Sequence, residues 1–169
     1  MPYTSALDAA ATRRAISMGD DTALERYLRE GGNNPVVAAT GATGFLSGSG
    51  TTIMNRAAGV TLTLPPARGS QERYHVVVQT TFSGGSGIIK VANAADSMIG
   101  NVIMSTDTLA AGSMQAPPAD SDTITMNGTT TGGAAGSQLT LIDVAANTWM
   151  VEGVLVCVGS AATPFSNGV

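Results

Sequence analysis

A chain of 169 residues and 16.9 kDa holds one ordinary domain plus an appendage and is short for two independent cores. Only 12% of its residues are charged, against about 25% in an average globular protein, yet 43% are hydrophobic, which excludes a disordered chain. A formal charge of −4, with Lys90 the single lysine and no basic cluster beyond Arg13-Arg14, excludes nucleic-acid binding that works by displacing counterions.

Ser5-Ala6-Leu7-Asp8 spells a capping box, and a helix is expected after it, with Leu7, Ala11, Ala15 and Met18 on one face and Gly19 as its stop. Thr22 and Glu25 repeat the capping spacing for a second helix reaching Gly31-Gly32, with Leu24, Tyr27 and Leu28 as its stripe. Helices this short are marginal alone, so the pair is expected to dock on something else. A DNA-reading helix pair is disfavoured, because Glu25 and Glu30 offset Arg26 and Arg29. Residues 1–50 are therefore read as a helical arm with a glycine-rich linker, and 51–169 as the body. The residues expected to carry docking are Leu7, Arg13, Arg14, Leu24, Tyr27, Leu28 and Phe45.

Strands are expected at Thr51 to Met54 and at Val60-Thr61-Leu62-Thr63-Leu64, whose valine and leucines face inward before Pro65-Pro66 ends the run. Further strands fall at Arg73 to Thr81, Ile88 to Ala92 and Asn101 to Met104, with Asp107 to Asp120 as loop. Ser121 to Phe165 reads as a β-meander of three runs: Thr123 to Met126, Gln138 to Val144 and Thr148 to Val158. The first is followed by Asn127-Gly128 and a glycine-rich loop, and the second and third are joined by Ala145-Ala146-Asn147. About eight short strands bounded by turn residues predict a mainly β fold, an antiparallel sandwich or jelly-roll-like barrel with a short N-terminal helical arm.

No catalytic or metal centre is spelled out. His75 is the single histidine and Cys157 the single cysteine, both within strand runs, so neither a zinc site nor an internal disulfide can be assembled. Asp120-Ser121-Asp122 and Asp20-Asp21 lack the spacing of a calcium loop. Ser83 to Gly87 and Gly128 to Gly136 lack the Lys-Ser/Thr of a phosphate loop and read as turns. No cofactor and no enzyme activity are expected. The chain reads as soluble, without a membrane span or secretory leader, and made in a reducing cytoplasm.

Asp120-Ser121-Asp122-Thr123-Ile124-Thr125-Met126-Asn127-Gly128-Thr129-Thr130-Thr131-Gly132-Gly133, then Leu139-Thr140-Leu141-Ile142-Asp143, Trp149-Met150-Val151-Glu152-Gly153 and Ala162-Thr163-Pro164-Phe165, resemble head decoration (cement) and related structural proteins of tailed bacteriophages. Val60 to Pro65 and Ile88 to Ala92 are similar too, so the likeness spans about Gly59 to Phe165. It implies a homo-oligomer, a trimer first and a dimer second, on the outer surface of a phage head, in contact with the major capsid protein. The sparse surface charge fits, since a weakly charged exterior suits a protein covered by companions. The alternative expectation is a tail or fibre protein that binds host glycans, which requires exposed aromatic rings beside carboxylates.

Overall fold

A computed structural model describes residues 36–37, 43–45, 50–106 and 112–169, with side chains described from Thr51 onward. They fall within one compact unit, Pro35–Val169. The two helices expected before Gly32 lie outside the described residues. Within those residues the fold is mainly β, with no helix.

The strands in chain order are β1 (Val36–Val37), β2 (Thr43–Phe45), β3 (Gly50–Met54), β4 (Val60–Thr63), β5 (Arg73–Val78) and β6 (Gly87–Lys90), then β7 (Ser97–Thr106), β8 (Ser113–Gln115), β9 (Thr123–Met126), β10 (Gln138–Ala145), β11 (Thr148–Cys157) and β12 (Phe165–Ser166). They form a seven-stranded sheet in the order β1-β3-β5-β10-β11-β7-β8 and a five-stranded sheet in the order β12-β9-β6-β4-β2. The segment expected to be a linker thus contributes β1 and β2, and the segment expected to be loop contributes β8.

Both sheets are mixed, which corrects the antiparallel expectation. From β1 to β6 the chain alternates between the two sheets, so β1, β3 and β5 are parallel neighbours in one sheet and β2, β4 and β6 in the other. The crossover that parallel pairing requires is supplied by a strand of the opposite sheet instead of a helix. The expected meander is corrected for the same reason. β10 and β11 do form an antiparallel hairpin, but β9 lies in the five-stranded sheet between β6 and β12. The loop between β9 and β10 makes that change of sheet. Asn127 organises it: its Oδ1 accepts from the N–H groups of Thr129 (2.9 Å) and Thr131 (3.1 Å), and its Nδ2 donates to Thr130 Oγ1 (2.9 Å).

Alternation sorts the side chains as the spelling predicts. Val60, Leu62 and Leu64 are buried, and so are Tyr74, Val76 and Val78 on β5 and Leu139 and Leu141 on β10. Together with Ile89, Ile124, Met126 and Phe165 from the five-stranded sheet they belong to one hydrophobic cluster, in which Trp149 is 1% exposed. The Tyr74 and Trp149 rings meet edge to face at 5.6 Å. The long parallel pair β7–β11 brings two backbones very close at Gly100, where φ is +106° and a Cβ would overlap the carbonyl oxygen of Val151. Gly100→Ala is expected to cost about 2–3 kcal/mol, from the strained φ and the displaced neighbour together. Chemical denaturation followed by the fluorescence of Trp149 measures it, and an unchanged midpoint would contradict that close approach.

Candidate functional site

The register of the seven-stranded sheet places the outward residues of its strands in rows. One row reads Ile53, Val77, Gln138, Val154, Ile103, Met114. The next is polar: Thr51, His75, Thr140, Glu152, Asn101. A third follows Arg73 with Ile142, Met150 and Ile99, and of these Ile142 is already buried, at 3% exposed. Ile99 and Ile103 are each 49% exposed and Met114 is 67% exposed, while the inward neighbours Met98, Val102 and Met104 are buried. β7 therefore carries large apolar residues on both faces, although only one face meets the core. Exposed aliphatic groups in register across adjacent strands mark a surface that gains by being covered.

The other outer face is different. Thr61 and Thr63 on β4, Ile88 and Lys90 on β6, and Thr125 on β9 alternate with the buried core residues there. These residues are half-buried, and three of the five are threonines. All four edge strands, β1, β2, β8 and β12, are only two or three residues long. Short edge strands offer little backbone for edge-to-edge pairing, so association through the outer face of the larger sheet is favoured over addition of a strand.

The body carries still less surface charge than its composition implies. Of its described acidic residues, Asp96, Asp122 and Asp143 are buried, which leaves Glu72, Asp120 and Glu152 exposed. Asp96 Oδ2 accepts from the Ala67 N–H and from Asn93 Nδ2, both at 3.0 Å. Asp143 accepts from the N–H groups of Arg68, Gly69 and Ser70 and from the Ser70 hydroxyl, at 2.7–3.0 Å. Asp122 accepts from the Thr123 hydroxyl at 2.7 Å and from the N–H groups of Gly168 at 2.7 Å and Val169 at 3.2 Å. These carboxylates are internal fasteners.

Of the residues expected to dock, Leu7, Arg13, Arg14, Leu24, Tyr27 and Leu28 lie outside the described residues. Phe45 ends β2 and registers with Thr63 at the edge of the five-stranded sheet. The apolar outer rows are missed when the strand is confined to Asn101 to Met104, since β7 runs from Ser97 to Thr106. The signal was available in Ser97 to Thr106, where apolar residues occupy both parities: Met98, Val102 and Met104 on one, Ile99 and Ile103 on the other.

His75 and Cys157 both lie on strands of the seven-stranded sheet, β5 and β11. His75 is half-buried on the polar row, with Nδ1 3.2 Å from Thr140 Oγ1. Cys157 is buried, its thiol donates to the Thr130 carbonyl oxygen at 3.4 Å, and burial pushes its pKa up, away from the thiolate form. Among the described residues no group of three or more His, Cys, Asp or Glu is placed to hold a metal ion. Tyr74, Phe82, Trp149 and Phe165 are all buried, so the described aromatic side chains provide no exposed stacking surface of the kind glycan binding requires.

Comparison of the chain with protein-family models, with curated proteins and with solved structures found no match.

Proposed function

We propose that this chain is a head decoration protein of a tailed bacteriophage, which binds the outer surface of the head and stabilises the lattice of the major capsid protein. In this reading the body is a two-sheet β-sandwich or jelly-roll-like unit that self-associates, and the segment before β1 docks on the capsid or on a neighbouring copy. The observation that carries it is a weakly charged body whose larger sheet turns Ile99, Ile103 and Met114 outward. The spelling of Asp120 to Phe165 supplies the phage context. Mechanistically, modest interfacial burial repeated over a symmetric shell sums to strong reinforcement.

The test is cosedimentation of the purified full chain with heads that lack it, and with the same heads already decorated. Saturable binding to the bare heads alone is expected. Absence of binding at every concentration tried would overturn the decoration role. A second variant lacking residues 1–34 stops short of β1 and so spares both sheets. It is expected to keep the cooperative unfolding of the full chain and to lose head binding. Undiminished affinity after the deletion would remove the docking role of that segment and transfer it to the body.

A further inference from the structure

The first two outer rows of the seven-stranded sheet have an internal symmetry. β10 is the fourth strand of seven, with β5 and β11 beside it and β3 and β7 beyond them. In the first row Val77 and Val154 flank Gln138, and Ile53 and Ile103 lie outside them. In the polar row His75 and Glu152 flank Thr140, and Thr51 and Asn101 lie outside them. Within these two rows each apolar position beside β10 thus has an apolar counterpart on the other side and the imidazole has a carboxylate, whereas in the third row Arg73 lies opposite Met150. Thr140 Oγ1 lies 3.2 Å from His75 Nδ1, which leaves Nε2 as the nitrogen free to point away from the sheet.

We propose that a second copy of this chain covers this face, the two copies being related by a two-fold axis that runs along β10. The proposal rests on the reading that companions cover the face, and it identifies the companion. A two-fold axis lying in the interface maps β5 of one copy onto β11 of the other and β3 onto β7, which is the isologous arrangement of a symmetric dimer. Val77 then meets Val154 of the second copy, Ile53 meets Ile103, and Gln138 meets its own equivalent on the axis. His75 meets Glu152 twice, once on each side, and an imidazole N–H donating to a carboxylate is a strong, directional contact. Sheets packed face to face stand about 10 Å apart with their strands within roughly 30° of parallel, a gap that Ile, Val, Met, His and Glu side chains fill from both sides. The short edge strands direct association to this face. A two-fold pairing takes the place of the threefold one that the phage resemblance puts first.

Sedimentation equilibrium of the full chain is expected to show a reversible dimer. Gln138→Cys treated with a short bis-maleimide is expected to yield a covalent dimer, because two such thiols lie together on the axis. The native Cys157 is fully buried and stays silent, and Ser166→Cys on the other sheet serves as the control that does not cross-link. Ile103→Glu is expected to weaken the dimer by about tenfold or more without unfolding the chain, since Ile103 is half exposed. Should that variant misfold, the charge exchange decides: His75→Glu sets like charges opposite each other and weakens the dimer, and His75→Glu with Glu152→His restores it.

A monomer at all soluble concentrations overturns the pairing, as does an oligomer in which Gln138→Cys stays uncross-linked, or a charge exchange that fails to restore association. Head binding is scored separately by cosedimentation. A monomer that still decorates heads sinks the pairing alone, and a dimer that ignores heads sinks the decoration role alone.

Discussion

Replacing Asp143 with alanine should lower the thermal midpoint of the body by about 10–20 °C, the consequence of losing roughly 3–5 kcal/mol. The buried carboxylate gathers the N–H groups of three successive residues, Arg68, Gly69 and Ser70, and the Ser70 hydroxyl. Such a run of amides converging on one anion is a nest, and it leaves three donors facing inward when the anion is removed. The loop it holds is otherwise tied to the β10–β11 hairpin by main-chain bonds, Gln71 N–H to Asp143 O at 2.9 Å, Asp143 N–H to Glu72 O at 3.0 Å and Asn147 N–H to Ala67 O at 3.3 Å, and by Gln71 Nε2 donating to Val144 O at 3.4 Å. Loss of the carboxylate therefore loosens the approach to β5 and the tip of the hairpin together. Asp143→Asn should fall between wild type and alanine, because a carboxamide keeps one acceptor oxygen and turns an NH2 group toward the same donors. Thermal and urea unfolding followed by Trp149 fluorescence reports all three proteins. A loss below about 1 kcal/mol for alanine would mean that water satisfies the nest and the carboxylate is dispensable.

Much of the facing of side chains was legible in the sequence, and little of their partnering. Val60 to Leu64 announces its buried face because a strand repeats every two residues, and the short Ala145-Ala146-Asn147 connection fixes the β10–β11 hairpin. Neither signal says which strand lies alongside. The ten-residue parallel register of β7 with β11, and the placement of β9 between β6 and β12, depend on contacts between segments far apart in the chain. Many short strands bounded by turn residues argued for antiparallel neighbours, and that reading failed wherever a strand of the opposite sheet served as the crossover. The fasteners were hidden for a similar reason. Asp143 reaches partners about seventy positions earlier, and nothing in Leu141-Ile142-Asp143 distinguishes an anchoring aspartate from one at a strand end. The outer apolar rows were written in Ser97 to Thr106, but two-sided hydrophobicity in a strand reads equally well as a centre strand with both faces inside.

Acid should unfold the body cooperatively, with stability holding above about pH 4 and falling steadily below it. The sign follows from two carboxylates. For Asp143, burial opposes ionisation, but the hydrogen bonds from Ser70, Arg68 and Gly69 outweigh it and hold the carboxyl below its ordinary value. For Asp122, burial again works against the charge and is outweighed by the Gly168 N–H, the Thr123 hydroxyl and the Val169 N–H, so its pKa is lowered as well. A group whose pKa is depressed on folding contributes its full stability above the unfolded value near about 3.9, and that contribution is lost as pH falls through the folded value. The two sites fail in different places. Protonating Asp143 frees the loop before β5. Protonating Asp122 frees Gly168 and Val169 and weakens the seam where Ser166 O accepts from the Asp122 N–H at 3.0 Å and Pro164 O from the Thr125 N–H at 2.8 Å. Asp122→Asn with Asp143→Asn should therefore be less stable than wild type at pH 7 and lose much less on going to pH 2.5, so that the two stability curves converge in acid. Parallel curves for the double variant and the wild type would show that the acid response belongs to other carboxylates and that neither fastener is held by its charge.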